Sequence, residues 1–373
     1  MNYAEFNRNH IHYAPLSKRE NKLHILTIDQ DCKNEKLSDN LLQRLEPIAQ
    51  EILQARRRNA SVVCTFGAHT IKNGLGHTLS SCIEEGWFTH LATNGAGIIH
   101  DWEFSYQGKS SEDVRANVRE GQFGTWEETG FYINLALIIG AYEGRGYGES
   151  VGSMIQRQGL HIPTRDELLE IITHRRVLWK SAAAADLLES IDAFQIPEGW
   201  MSIPHQYRDY SIQAKAFQLN VPFTGHPMFG HDIIYTHSMN KGAAVGRTAE
   251  HDFLRFVESI SNLEGGVYLS IGSAIMSPMI FEKALSMTRN VAKQNGCDIS
   301  DCSIIVVDLQ PETWDWARGE PPMENPAYYL RFMKTFNRMG CRIDYLCMDN
   351  RQFLTGLNHV LTRLTKQMKK VES

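Results

Sequence analysis

The chain has 373 residues, 42% of them apolar and 22% charged, and a formal net charge of -5. That composition excludes a disordered chain and argues against nucleic acid as the main partner. No apolar run is long enough to span a bilayer, and residues 1–20 lack the basic and apolar regions of a signal peptide.

Residues 1–21 show no periodicity and read as an arm, packed on the domain or on a neighbour. Residues 22–373 read as one α/β domain. Residues 22–29 (KLHILTID) fit a strand. Ser38 or Asp39 can cap a helix that carries Leu41, Leu42, Leu45, Ile48, Ile52 and Leu53 along one face to Arg58, with Pro47 as a kink or break. Two short apolar runs follow, over 61–66 and 90–93. Each ends in a polar, glycine-rich turn, Gly67-Ala68-His69 and then Asn94-Gly95-Ala96-Gly97. Between them Leu75, Leu79, Cys82 and Ile83 recur at helical spacing. This is the building unit of a parallel sheet, whose ligands bind beyond the carboxyl ends of the strands.

Helices are expected over 109–120, 127–142 and 147–155, and from a Thr164–Glu167 capping box through 172. Residues 182–188 are also helical in propensity. Further strands are expected over 216–223, 232–236, 266–271, 303–307 and 341–348. Helices at 252–260, 279–291 and 353–366 alternate with them, as in a doubly wound α/β sheet. The seven cysteines lie singly or far apart, which predicts reduced thiols in a cytoplasm. Cys297 and Cys302 are close, but no second pair follows at zinc-finger spacing, so no metal is expected.

The glycine turns at 67 and 95, at successive sheet edges, point together to a ligand site. Asp349 at a strand end could accept from a ribose hydroxyl or cap the helix that follows. His69, His100, His226, His231 and His237 all fall in turns after expected strands. Histidine can serve there as a base, or with Asp101, Asp232 and Glu312 as a metal ligand.

The chain is similar in several blocks, in order, to the deoxyhypusine synthase family. The blocks are GAHTIKNGL (67–75), TNGAGIIHD (93–101), VPFT with DIIYTHS (221–238), IGSA (271–274), VVDLQPE (306–312) and MDN (348–350). The resemblance implies a Rossmann-like NAD-binding fold, a homotetramer and a small-molecule substrate, possibly an amine. By position it implies that Ala68, His69, Thr93, Asn94, Gly95, Gly97, Asp349 and Asn350 face NAD. His100 and Asp101 fall where the family holds its amine, His237 matches a family histidine, and Glu312 or Asp315 lies near the substrate stretch. One departure matters: Met276 stands near the place of the family's imine-forming lysine, and methionine cannot form an imine. Lys283 lies seven residues further on; Lys72, Lys109 and Lys241 read as surface lysines.

The expectation is therefore an NAD-dependent enzyme that oxidises a small amine or alcohol without lysine-linked aminobutyl transfer. His237 or His100 would take the proton and Asp101 would orient the base or the substrate. A metal-dependent hydrolase and a non-catalytic nucleotide-binding protein are the alternatives.

Overall fold

A computed structural model describes residues 3–311 and 313–372 of the chain. Its helices and sheet strands run α1 (Ile25–Lys33), α2 (Asp39–Arg57), β1 (Val62–Phe66), α3 (Ala68–Lys72), α4 (Gly76–Glu84), β2 (His90–Asn94) and α5 (Gly95–Gln107). A helical stretch follows, with α6 (Val114–Arg119), α7 (Glu127–Glu143), α8 (Tyr147–Arg157), α9 (Arg165–His174), α10 (Leu178–Phe194) and α11 (Ile212–Leu219). The chain returns to the sheet with β3 (Phe223–His226), α12 (Gly242–Ser261), β4 (Gly266–Ile271), α13 (Met276–Gln294), β5 (Cys302–Asp308), α14 (Arg331–Asn337), β6 (Arg342–Cys347) and α15 (Asn350–Glu372).

These six strands form the central parallel sheet in the order β3-β2-β1-β4-β5-β6; two short antiparallel pairs, Leu23–His24 with Lys109–Ser110 and Gly159–Ile162 with Gly199–Ser202, stand apart from it. That is the 3-2-1-4-5-6 order of dinucleotide-binding doubly wound folds. Successive strand residues alternate between two apolar layers. Cys64, Phe66, Leu269 and Ile271 pack on one face with α2 and α15, and Val63, Tyr268, Ile304 and Val306 on the other with α12, α13 and α14. Helices on both faces explain why β1 and β4 are buried throughout rather than alternating.

Several expected elements move. Residues 25–33 form a helix, because Ile25, Ile28 and Cys32 recur on one buried face and the His24 ring accepts from the Leu26 N–H. Residues 212–219 are helical under a Ser211 cap, so β3 starts only at Phe223. Residues 233–236 make a 3-10 turn, not a strand. Pro47 sits inside an uninterrupted α2.

Two cysteines depart from the reduced state expected: Cys302 and Cys341, at the starts of neighbouring strands, form a disulfide. The N-terminal arm packs on the domain itself. The Arg8 guanidinium donates to the carbonyls of Tyr235, His237 and Asn240, and the Leu16 N–H donates to Glu128. No helix of the described residues is long and apolar enough to cross a membrane.

Candidate functional site

The chain winds outward in opposite directions from β1 and β4, so a crevice opens beyond their carboxyl ends. Gly67 follows β1 and Gly272 follows β4. A Cβ on Gly67 would overlap the Gly272 carbonyl oxygen, so the two turns meet backbone to backbone. Gly272 itself has φ +55°, and nothing lies within 4 Å of where its Cβ would be. Its backbone is therefore open to a ligand. Ser273 accepts from the Ser277 N–H in the first turn of α13 at 3.2 Å. Ala68 and His69 open α3 just beyond β1. On the far side, the Asn350 side chain accepts from Asn73 at 2.7 Å and donates to Thr70 at 3.4 Å, tying α15 to α3. Asp349 accepts from the Arg351 N–H at 2.8 Å, so its carboxylate caps α15.

Beside the crevice lies a cavity of about 210 Å³, lined among others by Lys72 from α3, by Ala96, Ile99, His100 and Glu103 from α5, and by Arg19, Glu112 and Asp232. Positions 96, 99, 100 and 103 share one helix face, which is why α5 presents them together. Arg19 comes from the N-terminal arm and donates to both Glu103 oxygens at 2.7 and 2.6 Å. Burial alone would raise the Glu103 carboxyl, but Arg19 outweighs it and holds it below its usual range. Ser110 donates to Glu103 at 2.5 Å, so its oxygen is left to accept from His100 Nδ1–H at 2.7 Å. That relay fixes the tautomer and leaves His100 Nε2 as an acceptor toward the cavity. Burial pushes the His100 imidazole down to about 4, so it is neutral.

Asp232 is the outlier. Its Oδ2 is buried with no hydrogen-bond partner, and burial pushes its carboxyl up to about 7. It lies against Gly95, where a Cβ would overlap the carboxylate. The hydroxyls of Tyr147 and Tyr235 are also buried and unpartnered, and both are raised by burial and then by the Asp232 charge.

Lys72, read from sequence as a surface lysine, lines this cavity. Its ammonium is lowered by burial and then by Lys22. Lys72 and Asp232 were thus underread, and Arg19 and Glu103 passed unnoticed. The i, i+3, i+4, i+7 spacing from Ala96 was the available signal for the α5 face.

Other expected residues lie elsewhere. Asp101 points away from His100, since adjacent helix positions are about 100° apart. It is fully buried and accepts from Ser211, the N–H groups of Ile212 and Gln213, and the Gln213 side chain, capping α11. It orients no base in this cavity. His237 is buried between Tyr13, Phe131 and Phe194, with Nδ1 accepting from the Met239 N–H and Nε2 at 3.6 Å from Glu127. It does not line the cavity that holds His100.

Thr93 donates to the Phe66 carbonyl, and Asn94 caps α5 through the Gly97 N–H. Gly95 and Gly97 are required by Asp232 and by Thr93, which a Cβ at either position would meet. This second turn is filled by the chain's own groups. Asp315 caps a 3-10 turn at Ala317 and pairs with Arg318. Glu312 lies outside the described residues. Of the five turn histidines, His100 and His231 line this cavity and the other three do not, and among the described residues no group of three His, Cys, Asp or Glu is placed to hold a metal ion.

No protein-family profile and no curated protein matches the sequence. Similar solved structures include AgrE in a ternary complex with ornithine and NAD+ (15% identity, TM-score 0.42, covering 88% of this chain and 34% of that one). ArgZ, an arginine dihydrolase from the ornithine-ammonia cycle in cyanobacteria, gives 16% identity and TM-score 0.41, over 86% of this chain and 33% of its own. A LOR/SDH protein from Methanococcus maripaludis S2 gives 11% identity and TM-score 0.39, over 98% and 75%. The chain spans about a third of the length of AgrE and ArgZ. Similarity at this level assigns neither activity nor ligand.

Proposed function

We propose that this chain is an NAD-dependent enzyme that oxidises a small amine or alcohol held in the cavity beside His100. One observation carries the reading: the all-parallel 3-2-1-4-5-6 sheet, with an open glycine backbone at its switch point. The residues placed to hold the dinucleotide are Gly67, Ala68 and His69 after β1 and Gly272 and Ser273 after β4. The turn after β1 has its next glycine at Gly74, so the three-glycine phosphate fingerprint is absent, and topology and open backbone are what favour a dinucleotide here.

NAD, when bound, accepts a hydride. The chain's own residues do the rest. Asp232 takes the proton released from the substrate N–H or O–H, since a carboxyl near 7 is both basic and ionisable at working pH. His100 Nε2 accepts a hydrogen bond from the substrate, its ring held by Ser110 and Glu103 in the role expected of Asp101. His237 is set aside as the base, because it is walled off by aromatic rings.

Kinship with the deoxyhypusine synthase family, homotetrameric assembly and a cytoplasmic location belong to the same proposal. The apolar stretch 131–141 gives the tetramer no separate support, since most of α7 is buried within its own chain. The hydrolase alternative lacks a group of three His, Cys, Asp or Glu placed to hold a metal among the described residues. Calorimetry with NAD and with NADP tests the reading. Binding of either supports it, and no heat and no melting shift with either at millimolar levels contradicts it.

A further inference from the structure

The charges that line the cavity can be balanced one against another. Arg19 is spent on Glu103 through two hydrogen bonds. Glu112 accepts from Trp126 at 3.0 Å, Asn117 at 2.5 Å and the Gly124 N–H at 3.3 Å, with Arg19 4.0 Å away. His100 is neutral and tied to Ser110. Of the Lys, Arg, Asp and Glu side chains there, two of opposite sign are left over. Lys72 makes no ion pair and no hydrogen bond among the described residues, and its charged neighbours Lys22 and His69 are of its own sign or neutral. The Asp232 carboxylate accepts no hydrogen bond, and one of its oxygens is fully buried.

Both residues are partly withdrawn from water; an unpaired charge there is unfavourable, and two of opposite sign around one cavity form a pattern that a ligand completes. The cavity's 210 Å³ is small, room for roughly seven waters at ~30 Å³ each. A polyamine would meet Lys72 with charge of the same sign, and a simple carboxylic acid would meet Asp232 likewise. A molecule carrying both charges meets neither penalty.

We propose that the cavity recognises a small zwitterion, an aliphatic amino acid whose carboxylate sits on the Lys72 ammonium and whose ammonium sits on the Asp232 carboxylate. This rests on the cavity being the substrate site of the reading above, and it narrows that substrate from any amine or alcohol to an amino acid. The amine nitrogen then lies beside the proton acceptor assigned there, and His100 Nε2 and the Ile99 side chain bound the remaining volume.

The test is calorimetry on the full chain above neutral pH. The probes are L-norvaline, 5-aminopentanoate, pentanoate and pentylamine, with NAD titrated separately into the same preparation. At least one of the two zwitterions is expected to bind ten-fold or more tighter than both pentanoate and pentylamine. Lys72→Met should abolish that advantage while leaving pentylamine unchanged or tighter. Asp232→Asn should abolish it while leaving pentanoate unchanged or tighter. Lys72→Arg, which keeps the charge, should retain at least part of it, and thermal melting checks that each variant folds. Pentylamine or pentanoate binding as tightly as the better-bound zwitterion overturns the proposal, and so does zwitterion binding indifferent to both substitutions. NAD binding without any zwitterion binding overturns this inference alone. Zwitterion binding without NAD overturns the dinucleotide reading alone, and neither binding overturns both.

Discussion

A Cβ on Gly67 would overlap the carbonyl oxygen of Gly272, so the turns beyond two neighbouring strands meet with no room for a side chain. The contact is backbone on backbone, and neither partner can rotate away. Gly67→Ala must therefore push β1 and β4 apart at their carboxyl ends. We expect a loss of about 1–3 kcal/mol in stability by denaturant unfolding, the usual cost of overpacking, together with weaker NAD binding. Unchanged stability and affinity would show that the two turns are looser than described.

Asp232 is expected to cost stability and to supply activity. Its carboxyl is raised by burial above its unfolded value of 3.8, to about 7. The stability it contributes is therefore present at low pH and lost as pH rises through about 7. Asp232→Asn should melt higher than the parent at pH 8, by a margin that shrinks as pH falls toward 3.8, while turnover falls by about 10²–10⁴. A variant that melts lower at pH 8 would mean the carboxylate has a partner after all.

The buried histidines set the opposite slope. Burial holds His90 and His226 near 3 and His100, His205 and His237 near 4, all below the ordinary 6.5. Groups lowered in this way contribute stability that is present above 6.5 and lost as pH falls toward 4. Five such imidazoles outnumber Asp232 and Asp252, the two carboxyls raised to about 7. The melting temperature should drop as pH falls from about 6.5 to 4.5. A flat or rising profile there would contradict the burial of these rings as neutral groups.

Much of this was legible in sequence, and the failures have physical causes. Strands β1, β4 and β5 are apolar on both faces and read directly as buried strands. β3 is only four residues, Phe-Thr-Gly-His, and Thr224 and His226 are buried there by bonding each other at 2.9 Å rather than by being apolar. No hydrophobic pattern marks such a strand, so the expectation slid onto the helix before it. In the site, His100 was found because it sits on α5 beside a glycine turn. Lys72, Arg19 and Asp232 reach the same cavity from three other places in the chain, and nothing local in their sequence shows that approach. Asp101 and His237 were overread because residue type was taken for role: each is used up inside the core.

Lysine-linked transfer is expected to be absent even though Lys72 lines the cavity. Met276, which the resemblance sets near the family's lysine, is buried in the first turn of α13. Lys241 is paired with Glu189 at 2.9 Å, Lys283 with Glu282 at 2.6 Å, and Lys109 is exposed. Incubation with NAD and labelled spermidine, followed by borohydride, should leave the chain unlabelled by mass spectrometry. A stable adduct on Lys72 would reassign that residue from holding a carboxylate to forming the imine.

The arm and the site are joined by Arg19 and Glu103, a buried pair with both terminal guanidinium nitrogens engaged. Arg19→Met leaves the Glu103 carboxylate buried without its partner. About 3–5 kcal/mol of stability should be lost, with His100 freed from its fixed tautomer. A loss below about 1 kcal/mol, the range of exposed pairs, would contradict the burial of this pair.

The central claim is that a dinucleotide lies over the carboxyl ends of β1 and β4, and a crystal of the protein soaked in NAD tests it most directly. The account predicts density for the dinucleotide across the turns at Gly67 and Gly272, with its reactive ring directed toward the cavity of Lys72, His100 and Asp232. Density anywhere else on the molecule, or none at saturating NAD, would contradict it.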